Sequence, residues 1–187
     1  MRSSYIENKY GELLYSMCLI YKPKVVYEFG CLDGYSSSFF LKAMNQYEST
    51  KLKIYDLFEG YAYNHGNYPD VYDKLGTFKD KVQLEINKGD IFSSSIVNSI
   101  PNYSIEFIHI DISNDGEKLK NLFSLYSSKF NKKCIILLEG GSTERDRVDW
   151  MMEYNKPKIK DFLSGIKNEY NFFTFDPFPS VTVMQKC

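Results

Sequence analysis

The chain has 187 residues, a formal net charge of −1 and 25% charged residues. This length suits one domain with a sizeable core, so we predict a single domain over residues 1–187. Acidic and basic residues are interspersed without a basic stripe, which argues against nucleic acid and anionic membrane surfaces as partners. No apolar run approaches the length of a membrane span. The composition therefore favours a cytoplasmic protein that handles a small molecule.

The cysteines indicate neither a disulfide framework nor a zinc site. Cys18, Cys31, Cys134 and Cys187 lie far apart and show no C-x-x-C spacing. Widely spaced cysteines in apolar stretches are typical of reduced thiols in an intracellular protein.

The first 22 residues predict a helical segment. Tyr10, Leu13, Leu14 and Met17 fall at helical spacing on one apolar face, and Lys22-Pro23 ends the pattern. An amphipathic helix on a short chain also leads us to expect a homodimer.

Short apolar runs then alternate with helical patterns along the chain. Such alternation predicts βαβ units and a parallel sheet covered on both sides. The predicted strands are 25–29, 53–55, 82–86, 105–110 and 134–138, and the predicted helices are 36–46, 71–78, 95–99, 117–130 and 158–167.

The last two predicted strands break this rhythm. Residues 170–175 and 181–185 are joined by a connection too short for a helical crossover, so they predict an antiparallel hairpin. The expected fold class is α/β, a Rossmann-like doubly wound sheet of five parallel strands followed by this hairpin. The long segment 57–70, which contains His65, is the expected lid or substrate wall. His65 is either a base or substrate contact there or an exposed loop histidine.

The sequence VVYEFGCLDGYSSSFF, residues 25–40, is the most informative stretch. An apolar strand ending near Glu28 is followed by Gly30 and Gly34, which permit a sharp turn and close backbone approach to a ligand. We expect Ser36 or a neighbour to cap the following helix. The stretch lacks the lysine of a triphosphate-binding loop. It favours a nucleotide-type cofactor cradle, and the alternative is an ordinary tight turn.

Carboxylates follow each of the five predicted parallel strands. Ligands of open parallel sheets bind beyond the carboxyl ends of the strands, so this arrangement predicts a binding site there. The alternative is that each acid caps the next helix, although Ser36, Ser93, Asn114 and Ser142 are better placed for capping. The five acids are Glu28, Asp56, Asp90, Asp111 and Glu139.

With its EFGCLDG motif and these acids, the chain resembles the class I S-adenosylmethionine-dependent methyltransferases from about residue 25 to the C-terminal hairpin. The resemblance implies that S-adenosylmethionine is the cofactor and that one group of side chains and amides surrounds it. The implied contacts are Gly30 and Gly34 along the methionine and ribose, Glu28 near the amino group, Asp56 on both ribose hydroxyls, and Asp90 with the Ile91 amide at the adenine edge. Ser36 is a further implied cofactor contact.

Within that family, the sequence FIHIDIS and the acid after the fifth strand resemble the macrocin O-methyltransferase and cephalosporin-hydroxylase-like group. The resemblance implies a divalent cation, Mg²⁺, on Asp111 and Glu139. Where relatives tend to have two adjacent acids, this chain has Glu139-Gly140-Gly141, so one ligand is missing. Without a metal the reaction needs a base, and Asp111 is the first candidate.

Other residues near these strand ends have two interpretations each. His109 shares a strand face with Asp111, as either a catalytic or a structural, partly buried histidine. Residues 143–147 either contact the acceptor or begin a solvated helix.

The resemblance implies O-methylation of a small hydroxylated acceptor such as a sugar or secondary metabolite. The alternative is a catalytically inactive cofactor-binding or regulatory subunit. A nucleic-acid methyltransferase is disfavoured, because no amine-methylating motif follows the fourth strand.

Overall fold

The computed structural model describes residues 1–48 and 51–187 of the chain. These divide into two compact units, Met1–Ile96 and Val97–Cys187. The helices and strands, in chain order, are α1 Tyr10–Tyr21, β1 Val25–Phe29, α2 Tyr35–Met44, β2 Lys51–Asp56, α3 Tyr68–Gly76, β3 Gln83–Lys88, α4 Ser94–Ser99, β4 Ile105–Ile110, α5 Gly116–Tyr126, β5 Phe130–Glu139, α6 Asp149–Glu153, α7 Ile159–Gly165, β6 Tyr170–Phe175 and β7 Val181–Lys186.

The first unit is built on three parallel strands. β2 pairs with β1 on one side and with β3 on the other. Val26, Phe29, Leu52 and Ile54 are fully buried, as expected for strands covered on both faces. β2 extends one residue beyond the predicted 53–55 at its carboxyl end, so Asp56 is its last residue.

The second unit combines a parallel and an antiparallel part. β4 and β5 are parallel, and their register shifts between Ile105 and Phe107. This irregularity lets β5 begin at Phe130, before the predicted 134–138, although Lys132 and Lys133 are exposed. Because the first residues of β5 are polar, the hydrophobic pattern of the sequence does not indicate where the strand begins. The preceding helix α5 ends at Tyr126, before the predicted residue 130.

The C-terminal hairpin has the predicted topology. β6 and β7 are antiparallel, and β7 also pairs antiparallel with β5. The strand order is β3-β2-β1 in the first unit and β4-β5-β7-β6 in the second. The predicted fold class, five parallel strands followed by an antiparallel hairpin, is confirmed. No helix among residues 1–48 and 51–187 is both long and apolar enough to cross a membrane.

Candidate functional site

The loop between β1 and α2 turns on two glycines. Gly30 and Gly34 both have φ of +81°, in the left-handed region that favours glycine. A Cβ atom added at Gly34 would also lie 3.1 Å from the side chain of Leu75. Gly34 itself occupies the N-cap position of α2 without a side-chain cap hydrogen bond. The expectation that the Ser36 side chain caps this helix is therefore wrong.

The Ser36 hydroxyl instead donates to Glu28, the acid one residue before the end of β1. Glu28 is fully buried, and its two carboxylate oxygens accept hydrogen bonds from the hydroxyls of Ser36 and Ser37. This arrangement places a carboxylate at the first turn of α2, where the helix dipole favours negative charge. The contact between Glu28 and the amino group of a cofactor stays a prediction.

Asp56 organises the same loop from the end of β2. Its Oδ2 atom accepts from the backbone N–H groups of Cys31 at 2.7 Å and Leu32 at 3.3 Å, and Oδ1 accepts from the N–H of Phe58 at 2.7 Å. The side chain is half-buried. A carboxylate offers about four lone-pair sites, so at least one remains for a ligand hydroxyl. Asp56 thus fixes the glycine-containing loop and keeps acceptor capacity at the strand end.

The turn after β3 lies beside Asp56. The Gly89 N–H donates to the backbone oxygen of Asp56 at 2.9 Å. Asp90 is exposed and its Oδ1 accepts from the Phe92 N–H at 2.9 Å, whereas Ile91 is buried. The structure therefore places the turn that carries Asp90 and Ile91 next to the predicted ribose-binding acid, within one unit.

The segment predicted as a lid, 57–70, is packed onto the glycine-containing loop. Phe58 is fully buried, and Glu59 accepts from the Tyr68 N–H at 2.7 Å and from Lys88 Nζ at 2.6 Å. A Cβ added at Gly66 would lie 1.8 Å from the backbone oxygen of Leu32. These contacts hold the segment close to the backbone that the cofactor is predicted to approach.

Arg2, which the sequence analysis missed, joins both loops. Its guanidinium and backbone N–H donate to the Asp33 carboxylate at 2.8–2.9 Å. Two further bonds of 2.9 Å reach Asn64 Oδ1 and the His65 backbone oxygen. The hydrogen bond from Arg2 holds the pKa of Asp33 well below its ordinary value. A lone arginine near one end of the chain carries no local signal for these long-range contacts.

Replacing Arg2 by alanine should loosen the segment around Asn64 and His65. We expect faster amide exchange over residues 61–66, because the four hydrogen bonds that the Arg2 guanidinium donates are lost, two of them to Asn64 and His65. Hydrogen exchange followed by mass spectrometry measures the change, and Lys79→Ala, which removes an exposed cation from the same unit, is the control. Equal exchange in the two variants would contradict the assignment. Because the Asp33 pKa is depressed, the contact should persist at neutral pH and weaken only in acid below about pH 4.

In the second unit, His109 and Asp111 lie at the end of β4. His109 is fully buried within the strand, which matches the structural interpretation of this residue. Asp111 directly follows β4 and is half-buried. Of the two predicted catalytic side chains, Asp111 is therefore the one with access to solvent.

The carboxylate of Glu139, at the end of β5, is paired with an arginine side chain. Arg145 Nε donates to Oε1, and Nη2 donates to Oε2 at 3.0 Å. Asn114 Nδ2 donates to the Glu139 backbone oxygen at 2.8 Å and lies 3.4 Å from Oε2. Burial raises the pKa of Glu139 above its ordinary value, and the guanidinium opposes this rise. Because an arginine is always protonated, its two-point contact favours the ionised carboxylate.

The interpretation of residues 143–147 as a solvated helix start is wrong. Arg145 and Asp146 are both buried. The Asp146 carboxylate accepts from the N–H groups of Ile159 at 2.9 Å and Lys160 at 3.1 Å, at the start of α7. Both charged side chains therefore have structural roles. Arg145 pairs with Glu139, and Asp146 accepts hydrogen bonds from the first N–H groups of α7.

The donor set at Asp111 and Glu139 does not fit the predicted magnesium ion. Both Glu139 oxygens face a cationic side chain, whereas Mg²⁺ requires carboxylate oxygens that are free to coordinate it. Among residues 1–48 and 51–187, no group of three or more His, Cys, Asp or Glu side chains could hold a metal ion. The magnesium prediction finds no support in these residues.

Comparison with known proteins places this geometry in a known fold. No protein-family model and no curated protein matches the chain. A solved SAH-bound methyltransferase from Podospora anserina matches over 100% of this chain and 80% of its own, with a TM-score of 0.71 and 14% identity. A methyltransferase from Geobacter sulfurreducens matches over 95% and 78%, with a TM-score of 0.64 and 16% identity. The chain has a methyltransferase fold. An O-methyltransferase from Bacillus cereus in complex with SAH has the same fold over 100% of this chain and 84% of its own, with a TM-score of 0.64 and 14% identity.

Proposed function

We propose that this chain is an S-adenosylmethionine-dependent methyltransferase that transfers the methyl group to a hydroxyl of a small acceptor. The observation that carries the proposal is the Asp56 carboxylate, which fixes the loop containing Gly30 and Gly34 and retains acceptor capacity. Its support is the methyltransferase fold, since similar structures are described as SAH-bound and as O-methyltransferases.

The residues of the first unit fit this cofactor by their chemistry. Gly30 and Gly34 have positive φ, which allows the sharp turn of the loop, and Asp56 keeps acceptor capacity for a ribose hydroxyl. Asp90, exposed beside the buried Ile91, supplies an acceptor for the amino edge of an adenine. When bound, the cofactor supplies an electrophilic methyl group on a sulfonium.

The chain has to align the acceptor and take its proton. We assign the proton transfer to Asp111, because His109 is fully buried and Glu139 is paired with Arg145. Asp111 directly follows β4 and is half-buried, so it is the more exposed of the two predicted catalytic side chains. No step requires a metal ion.

Replacement of Asp111 by asparagine should separate binding from turnover. The affinity for S-adenosylmethionine should stay within about twofold of the unchanged chain, while turnover falls by about a hundredfold or more, the contribution typical of a general base. Turnover is measured as S-adenosylhomocysteine formed in a screen of small hydroxylated acceptors. Glu117→Gln, which neutralises an exposed acid on α5, is the matched control. Full turnover by the Asp111 variant would contradict its assignment as the base.

A second candidate function is a cofactor-binding subunit without transferase activity. The observation that favours it is the pairing of Glu139 with Arg145, which engages one of the two acids predicted to act at the reaction centre. Saturable cofactor binding without turnover across the acceptor screen would support this second function over the first.

A further inference from the structure

A cation belonging to the chain itself lies at the carboxyl end of β5. The Arg145 guanidinium contacts both oxygens of Glu139, and the two side chains are only 6% and 5% exposed. A pair so removed from water interacts much more strongly than a surface ion pair. The positive charge is therefore a permanent part of this strand end.

Two glycines after β5 form a turn that brings Arg145 back to Glu139. Gly140 and Gly141 have φ of +104° and +113°. A Cβ at Gly141 would lie 2.3 Å from Thr182 Oγ1, the atom that donates to the Gly140 backbone oxygen. The Glu-Gly-Gly sequence, in which a second acid is missing, is thus the turn that places an arginine against the first acid.

Further contacts fix the orientation of the guanidinium. Nη2 also donates to the Asn114 backbone oxygen at 3.2 Å, and the guanidinium carbon lies 5.3 Å from the centre of the Trp150 ring. The Arg145 backbone N–H donates to Ser142 Oγ at 3.1 Å. Nη1 is buried and has no hydrogen-bond partner within the part of the chain that the structure describes. Its hydrogen-bonding capacity is therefore not used within these residues.

Asp111 belongs to the same electrostatic cluster. Its charge acts on both partners, opposing ionisation of Glu139 and favouring protonation of Arg145. Both acids predicted as magnesium ligands are therefore under the influence of the Arg145 charge, and Glu139 contacts it directly.

We infer that Arg145 is the resident cation of this site and takes the place that a divalent metal would occupy at Asp111 and Glu139. Arg145 neutralises Glu139 and fixes its orientation through Nε and Nη2, so the carboxylate oxygens that would hold a divalent metal are already bound to a cation. The inference builds on the proposed function, which it specifies as metal-independent.

The test is a titration of the full chain with Mn²⁺ in the absence of S-adenosylmethionine, in which electron paramagnetic resonance measures the bound Mn²⁺. The unchanged chain should hold no Mn²⁺ at this site. Arg145→Met keeps much of the side-chain volume but removes the charge, so it should bind Mn²⁺ at least about tenfold more tightly. The double variant Arg145→Met/Glu139→Gln should lose that gain. Mn²⁺ should also raise the melting temperature of Arg145→Met and leave that of the unchanged chain the same.

Two results would overturn the inference. One is a Mn²⁺ site in the unchanged chain that Glu139→Gln or Asp111→Asn abolishes. The other is a folded Arg145→Met variant that gains no affinity for Mn²⁺. If Arg145→Met does not fold, Mn²⁺ binding by the unchanged chain is compared with Mn²⁺ binding by Asp111→Asn and Glu139→Gln. This comparison still decides whether the two acids hold a metal in the presence of Arg145. Because the readout is metal binding, failure of the proposed function would show separately in the cofactor titration.

Discussion

Replacing Asp56 by alanine should weaken S-adenosylmethionine binding by about a hundredfold or more. The carboxylate accepts three backbone hydrogen bonds that shape the cofactor loop, from Cys31, Leu32 and Phe58. Charge-assisted hydrogen bonds contribute about 1.5–3 kcal/mol each, and every 1.4 kcal/mol is about tenfold in affinity. The loss of a ribose contact together with the loop order therefore gives the expected change. Isothermal titration calorimetry measures it directly.

Two further variants make the Asp56 result specific. Asp73→Ala removes an exposed acid from α3 in the same unit and should leave the affinity unchanged. Asp56→Asn retains the shape but turns an amide N–H₂ toward a backbone N–H, so its affinity should fall between those of the alanine variant and the unchanged chain. A folded Asp56→Ala chain with unchanged affinity would show that the cofactor does not bind at this strand end.

Breaking the pair of Glu139 and Arg145 should have the largest effect on stability. Removal of one partner from a buried ion pair costs about 3–5 kcal/mol, because the other charge stays buried without compensation. We expect this loss for Arg145→Met and a comparable loss for Glu139→Gln, since both side chains are at most 6% exposed. Urea unfolding gives the free energy of unfolding of each variant.

A double-mutant cycle separates the pair from its surroundings. Arg145→Met/Glu139→Gln should lose less free energy of unfolding than the sum of the single variants, because no uncompensated charge remains. Lys51→Met is the matched control, since it breaks a half-exposed pair with Glu85 of 2.7 Å and should have a much smaller effect. Additive losses in the cycle would contradict a direct interaction between Glu139 and Arg145.

The sequence was sufficient for the fold and for the position of the strand-end acids. Strand and helix alternate with clear hydrophobic periods, and Asp56, Asp111 and Glu139 each end or directly follow an observed strand. The glycine-containing loop was equally predictable, because the left-handed backbone at Gly30 and Gly34 leaves a local signature.

The partners of those acids were not predictable, because they depend on tertiary contacts. From its neighbours in the sequence, Arg145 is expected to belong to a charged, solvated segment. Only the turn at Gly140 and Gly141 brings it to Glu139. Arg2 contacts residues more than thirty positions away. Ser36 looks like a helix cap from its position, yet the structure gives its hydroxyl to Glu28. In each case the partner is a carboxylate that is buried or distant in the sequence, so the neighbouring residues do not indicate the contact.

The central claim is that the first unit binds S-adenosylmethionine through Asp56 and the loop containing Gly30 and Gly34. Calorimetric titration of the purified chain with S-adenosylmethionine and with S-adenosylhomocysteine tests it most directly. We predict saturable binding of one equivalent at micromolar concentrations, in the absence of Mg²⁺ and unchanged by its addition, and about a hundredfold or more weaker in Asp56→Ala. Absence of binding to either compound, with or without Mg²⁺, would contradict the claim.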